Sequence, residues 1–373
     1  MKKNAIFVER LEKPKNAVRC LACGWKCVIL PGKSGQCGIR KNVNGKLSLT
    51  TYGKPIGCHL DPIEKKPFFH FLPGTAVYSF GTYGCNFGCL FCQNSDMSQT
   101  PRELFHDKYE DLLQEIPDFS PQKIVKFVKQ NAFPSIAYTY NEPTIFAEYW
   151  YDITKLAKKA GIRNVLVSNG FFSDELFEKT HDVWSAINID LKGFSDEFYR
   201  NVCKAHLSPL AKPDLSDLPK KYQKYEELGR ILKNIKKTYD AGIWVEVTTL
   251  IIPGENDSDE MLRDAAEFVA SVSPEIPWHI SAFHPAWKML DTPVTPRETL
   301  ERAYLIGKNA GLHYVYTGNV TAGEENTFCP KCGKLCISRN GYQTPENNLQ
   351  NGKCPKCQEK IAGVWGEEVG SRN

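Results

Sequence analysis

The stretch GCNFGCLFCQN, residues 84–94, carries Cys85, Cys89 and Cys92 at C-x3-C-x2-C spacing. Three thiols are an awkward number. A structural zinc site takes four protein ligands, and a disulfide takes two. Three thiolates can instead hold three corners of a [4Fe–4S] cube and leave one iron without a protein ligand, open to a chelating molecule. The flanking Gly84 and Gly88 let a loop wrap closely around such a cluster.

The loop follows a short apolar run, VYSF at 77–80, and that run opens a series. SIAYTY (135–140), NVLV (164–167), AINIDL (186–191), IWVEVTTLII (243–252) and WHISAF (278–283) are rich in β-branched and aromatic residues, as strands are; YVY (314–316) is a candidate seventh. Helical patterns lie between them. Residues 121–131 begin with a proline suited to a first turn, 145–160 repeat apolar residues three to four apart, and 258–271 open on the acidic, capping-competent NDSDE. Repeated βα units predict a parallel sheet with helices outside. In barrels of such units, chemistry sits at the C-terminal ends of the strands. Polar residues stand there: Asn141-Glu142-Pro143-Thr144, Ser168-Asn169-Gly170, Asp190 with Lys192, and His284-Pro285. Each tetrad or turn alone could be structural, since Asn-Gly marks turns and Pro starts helices. Their recurrence after successive units points to a shared site. The Pro- and Lys-rich stretch 206–225 interrupts the rhythm and reads as a mobile surface insertion before a helix at 225–239.

The chain has 373 residues, 42% hydrophobic and 24% charged, which suits an ordinary globular protein with one large domain and one or two small modules. A net charge of +4, with both signs mixed along the chain, does not argue for nucleic acid. No apolar run reaches membrane-spanning length and residues 1–11 carry no signal-peptide pattern, so a cytoplasmic address without membrane contact is expected. In a reducing compartment, fourteen cysteines suggest metal ligands more than disulfides. Eleven fall into groups, whereas Cys58, Cys203 and Cys336 stand outside and read as small buried hydrophobes. Cys329-x2-Cys332 and Cys354-x2-Cys357, both Cys-Pro-Lys-Cys, are close to the zinc-ribbon template, with a closed tetrahedral site. Cys20, Cys23, Cys27 and Cys37 form a tighter group in a polar segment whose folding metal would support. Zinc is the first reading there and an auxiliary iron–sulfur cluster the second, because thiolates suit both.

The three-cysteine loop after a first barrel strand resembles that of the radical S-adenosylmethionine (SAM) superfamily. The resemblance implies that SAM chelates the open iron and is cleaved reductively to methionine and a 5′-deoxyadenosyl radical, which abstracts hydrogen from a substrate. YNEPT (140–144) looks like the family's Gly-Gly-Glu-type motif, with Glu142 meeting the SAM amino group, although Tyr140 and Asn141 replace the glycines. SNG (168–170) and DLK (190–192) look like the ribose- and carboxylate-binding stretches of glycyl-radical-enzyme activases. That implies contacts from Asn169, Asp190 and Lys192. FHP (283–285) resembles their late histidine, which favours His284 over His279, and Phe91 sits where the family places an aromatic residue against adenine. DPIEKKPFFHFLPGT (61–75), TYGCNFGCLFCQN (82–94), YTYNEPTIFAEYW (138–150) and CPKCG (329–333) are similar to the AmmeMemoRadiSam-system radical SAM enzymes, a group close to pyruvate-formate-lyase activating enzymes.

The expected fold is therefore α/β: a partial (βα)6 TIM-like radical SAM barrel over 73–322, with a Cys-rich metal-binding module at 1–72 and a zinc ribbon at 323–373. The expected function is an oxidoreductase or lyase acting on a small molecule or peptide and fed by an electron donor such as flavodoxin or ferredoxin. One alternative is an activase that installs a glycyl radical on a partner enzyme, which needs an open barrel mouth. The other is a non-catalytic metal-binding scaffold, which leaves the polar strand ends unexplained.

Overall fold

Strands covered on both faces bury nearly every residue, and residues 77–80, 135–138 and 186–189 are all buried, the polar Ser79, Ser135 and Asn188 included. A computed structural model describes residues 3–104, 108–321 and 323–366. Its central sheet consists of β1 (Ile56–Pro62), β2 (Ala76–Gly81), β3 (Ser135–Tyr138), β4 (Arg163–Ser168), β5 (Ala186–Asp190), β6 (Trp244–Ile251), β7 (Trp278–Ala282) and β8 (Val315–Gly318). They pair in strict sequence order, so β1 and β8 are the edges. From β2 to β8 every pairing is parallel, and β1 runs antiparallel to β2. All seven expected runs are strands, the seventh as β8. Helices Pro121–Gln130, Ala147–Lys159, Glu227–Asp240, Asp259–Val272 and Arg297–Asn309 occupy the crossovers. Ser120 and Ser258 cap two of them by accepting from Lys123 N and Met261 N. Among the described residues no helix is long and apolar enough to cross a membrane.

The segment between β1 and β2 fills the lower interior of the sheet. Ile63, Phe68 and Phe71 are almost fully buried against Val77, Ala137, Val165, Ala186 and Trp244, one residue each from β2 to β6. The strap is tied by polar contacts too: Phe69 N and His70 N donate to Glu246 of β6, and Asn188 Nδ2 donates to Pro67 O.

Two small modules flank the sheet. In the N-terminal one, Lys3–Asn4, Lys46–Leu49 and Arg40–Val43 form one antiparallel sheet, and Val8–Arg10, Val18–Cys20 and Val28–Ile29 another. It docks near the C-terminal end of β4, where Gly24 N donates to Phe171 O and Ser173 Oγ to Leu21 O. The C-terminal sheet, Thr327–Phe328, Leu335–Asn340 and Gln343–Asn347, packs its Cys336 and Ile337, together with Ile361 of the segment that follows, against Tyr314 and Tyr316, covering the β8 edge. Covering an edge is how sheets avoid unwanted pairing.

The 206–225 stretch differs from the solvated loop expected of it. Leu207, Ala211, Leu215, Leu218 and Tyr222 are buried, while Lys212, Lys220, Lys221 and Lys224 are exposed. The apolar residues recur every three to four positions, and the intervening lysines and prolines mask that period. Arg230 of the following helix donates to Ala211 O and holds the stretch down.

Candidate functional site

The cysteine loop leaves β2 and is pinned along both sides. Gly84 N donates to Met97 O, Gly88 N to Cys203 O and Leu90 N to Val202 O, each at 3.0 Å. Gly84 has φ +91°, and a Cβ there would lie 2.5 Å from the Cys37 carbonyl oxygen, so glycine is required where the loop meets the N-terminal module. Burial pushes the Cys85 and Cys92 thiols up. Thiolates at these positions therefore need a cation beside them.

Cys85, Cys89 and Cys92 open into a cleft of about 790 Å³, and Phe91, Glu142, Asn169, Asp190 and Lys192 line the same cleft. Strand order accounts for this convergence: the cysteine loop with Phe91 follows β2, Glu142 follows β3, Asn169 follows β4, and Asp190 and Lys192 close β5, four successive parallel strands. Glu142 is buried, and its carboxylate accepts from Thr144 N (3.0 Å), Ser168 Oγ (2.8 Å), Asn169 N (2.7 Å) and the Thr144 hydroxyl. Burial raises the Glu142 carboxyl, against the pull of these donors. Its Oε2 takes only the Asn169 amide among them, which leaves acceptor capacity on that oxygen. Asn169 donates to Asn86 Oδ1 at 2.7 Å. Lys192 Nζ lies 2.8 Å from Asp190 Oδ2 and 5.8 Å from the Phe91 ring centre. Burial alone would lower the ammonium, but Asp190 foremost holds it well above its ordinary value.

The expected histidine is not among these residues. His284 is exposed beyond the end of β7, 3.4 Å from Asn319 O, and does not line the cleft. His279 does, as an inward residue of β7 in register with Thr248 of β6, which is in turn in register with Asp190 of β5. The period of two along WHISAF was the signal that favoured His279, since the inward residues of a strand face the barrel interior. His279 Nε2 is 2.6 Å from Glu246 Oε2. Burial would raise Glu246, but His279 foremost, with His70 and Trp244, keeps it below the usual carboxylate range.

Sequence reasoning also left out the cleft's far wall. Glu64, Lys65, Lys66 and Phe69 of the strap and Glu325, Gly341 and Tyr342 of the C-terminal module line it. Gly341-Tyr342 is a two-residue hairpin turn with Gly341 at φ +59°, fastened by Gly341 N to Glu325 Oε2 at 2.8 Å.

At the C-terminal cysteine group, Sγ of Cys329 is 3.6 Å from that of Cys357, and Sγ of Cys332 is 3.7 Å from that of Cys354. Zinc–sulfur bonds of about 2.3 Å in a tetrahedron set sulfurs about 3.8 Å apart, so this donor set fits zinc. Cys336 is buried in the core beneath and is not one of the four. Cys20, Cys23, Cys27 and Cys37 also come together, around a small cavity shared with Arg40, Asn86 and Ile145.

Comparison with known proteins places this arrangement. Residues 80–269, just over half of the chain, match the Radical SAM superfamily model. An uncharacterised protein of Methanocaldococcus jannaschii is 41% identical over 365 residues, covering 96% of this chain and 98% of its own. Among solved structures, a domain of pyruvate-formate lyase-activating enzyme from Bacteroides vulgatus is 19% identical with a TM-score of 0.39, covering 49% of this chain and 98% of its own. A radical SAM methyltransferase from Sphaerobacter thermophilus is 15% identical with a TM-score of 0.46, covering 71% of each chain. By the extent of the family match, the chain belongs to the radical SAM superfamily, whose members are enzymes that use a [4Fe–4S] cluster and SAM.

Proposed function

We propose that this chain is a radical SAM oxidoreductase or lyase acting on a small molecule or short peptide, related to the AmmeMemoRadiSam-system enzymes. The observation that carries the reading is the single cleft shared by the three cysteines and the polar strand ends. Cys85, Cys89 and Cys92 hold the cluster. Glu142 takes the SAM amino group on its free acceptor capacity, Lys192 meets the carboxylate, Asn169 and Asp190 meet the ribose, and Phe91 packs against adenine. When bound, cluster and SAM supply a one-electron cleavage that yields methionine and a 5′-deoxyadenosyl radical able to take a hydrogen atom from substrate. The electron comes from a flavodoxin- or ferredoxin-type carrier.

The cleft's far wall favours a small substrate over a glycyl-radical partner. A site of about 790 Å³ is within the size range of small-molecule pockets, and strap and hairpin residues supply part of its wall, as the enclosure of a small substrate requires. The non-catalytic scaffold reading leaves buried Glu142 and the Asp190–Lys192 pair without a purpose.

Reduced anaerobically with dithionite, the protein should slowly convert SAM to 5′-deoxyadenosine. Cys89→Ala should abolish this by leaving too few thiolates for the cube. Lys192→Ala should keep the cluster but weaken SAM binding roughly ten- to a hundredfold, the worth of a charge-assisted hydrogen bond of about 1.5–3 kcal/mol. A wild-type protein with a full cluster that neither binds nor cleaves SAM would overturn the proposal.

A further inference from the structure

We propose that Cys20, Cys23, Cys27 and Cys37 hold a [4Fe–4S] cluster rather than a single zinc ion, seated directly against the Cys85–Cys92 loop. Two four-cysteine groups in one chain invite one answer for both, but their geometries differ.

In the C-terminal group the thiols face one another at 3.6 and 3.7 Å. Among the described residues it is the one set of three or more potential ligands whose donor atoms all lie within 4.8 Å of one another. The N-terminal sulfurs stand wider. They surround a cavity of about 10 Å³, closed by Ala22, Trp25, Ile29 and Ile145. That is about the space a single water needs. In a tetrahedral zinc site the sulfurs lie about 2.3 Å from the centre, which is too close for a water-sized sphere of about 1.4 Å radius to fit between them. A cubane places an iron corner between each thiolate and the centre, and so sets four sulfurs apart around a body of appreciable size. Cys27 Sγ also accepts from Gln36 N at 3.5 Å, a donor of the kind that tunes cluster sulfurs.

The location is as informative as the size. Asn86 follows Cys85 and lines this second cavity, while Cys85 lines the large cleft. The Cys37 carbonyl oxygen touches Gly84, where any side chain would collide at 2.5 Å. The two cysteine sets are thus separated by backbone and one asparagine, close enough for two paramagnetic clusters to sense each other.

The test is metal content of the full chain, expressed with both iron and zinc supplied and purified anaerobically. The expected result is about eight irons, matching sulfide and about one zinc per chain. In a Cys85→Ala/Cys89→Ala/Cys92→Ala variant, about four irons should remain, and adding Cys27→Ser and Cys37→Ser should remove them. The dithionite-reduced wild type should show spin-coupled resonances that simplify in the triple variant. About four irons and two zincs in the wild type would overturn the proposal, as would loss of all iron from a folded triple variant or an N-terminal site without metal. The wild-type count decides even if the variants fail to fold. None of these readouts uses SAM cleavage, so failure here and failure of the proposed activity remain distinct.

Discussion

His70 sits where strap, sheet and C-terminal module meet. Its Nδ1 is 2.6 Å from Ala362 O and its Nε2 is 2.6 Å from the Tyr316 hydroxyl. A carbonyl can only accept, so Nδ1 carries the proton and Nε2 accepts from Tyr316. Tyr316 in turn is 2.8 Å from Thr327 Oγ1, to which Arg339 donates at 2.9 Å. The neutral imidazole is built into this chain, and burial foremost lowers its pKa to about 4. An unfolded histidine titrates near 6.5. Between those values the unfolded chain binds more protons, so this contribution is complete above about pH 6.5 and is lost as pH falls toward 4. At pH 5 the loss should be roughly 2 kcal/mol. His70→Gln can donate and accept at the same two places without titrating. Unfolding free energies of the two proteins, compared at pH 7 and pH 5, should show the wild type losing that much more than the variant; equal losses would disprove the role. At this scale the convergence of Glu142, Asn169, Asp190 and Lys192 on one cleft was legible, because finding polar residues after successive strands needs only the strand positions. His70 and Glu246 were not, since their partners lie 246 and 33 residues away, at Tyr316 and His279.

The C-terminal ribbon is an element with two tasks. Its four cysteines form a closed site, and its hairpin tip carries Tyr342 to the cleft wall. Replacing Cys354 and Cys357 with serine should remove about one zinc per chain and leave the iron unchanged, because four thiolates are needed for a closed tetrahedron. Zinc retained in that double variant would defeat the assignment. The ribbon itself was legible from its two Cys-Pro-Lys-Cys knuckles, and its position was not: nothing local in residues 323–366 says that Ile337 and Ile361 pack on Tyr314 and Tyr316. The strap shows the same limit. DPIEKKPFFHFLPGT has neither a helical nor a strand period. It is shaped by what surrounds it, with Phe68 and Phe71 filling the interior between strands that arrive later in the chain.

The whole molecule is held in register by a few buried contacts between modules, and one of them is ionic. Arg40 of the N-terminal module donates to Glu148 through Nη1 at 3.1 Å and Nη2 at 2.6 Å, and to Ile145 O through Nε at 2.8 Å. Glu148 also accepts from Ile6 N at 3.0 Å. Both side chains are nearly inaccessible, at 2% and 1% exposure, and each guanidinium nitrogen and each carboxylate oxygen has a partner inside the interface. Glu148 opens the helix that follows the Glu142 motif, and Arg40 lines the Cys20–Cys37 cavity, so the pair links the cleft to the second cysteine site. Taking one partner away leaves the other charge buried and unpaired, which typically costs about 3–5 kcal/mol, whereas replacing both with apolar residues of similar volume is often near neutral. Arg40→Met alone or Glu148→Leu alone should therefore speed amide exchange over residues 40–49 on the order of a hundredfold or more. The double variant should bring exchange back most of the way toward wild type. Losses that simply add in the double variant would show that the two side chains act separately, and that the module is docked by its apolar contacts instead.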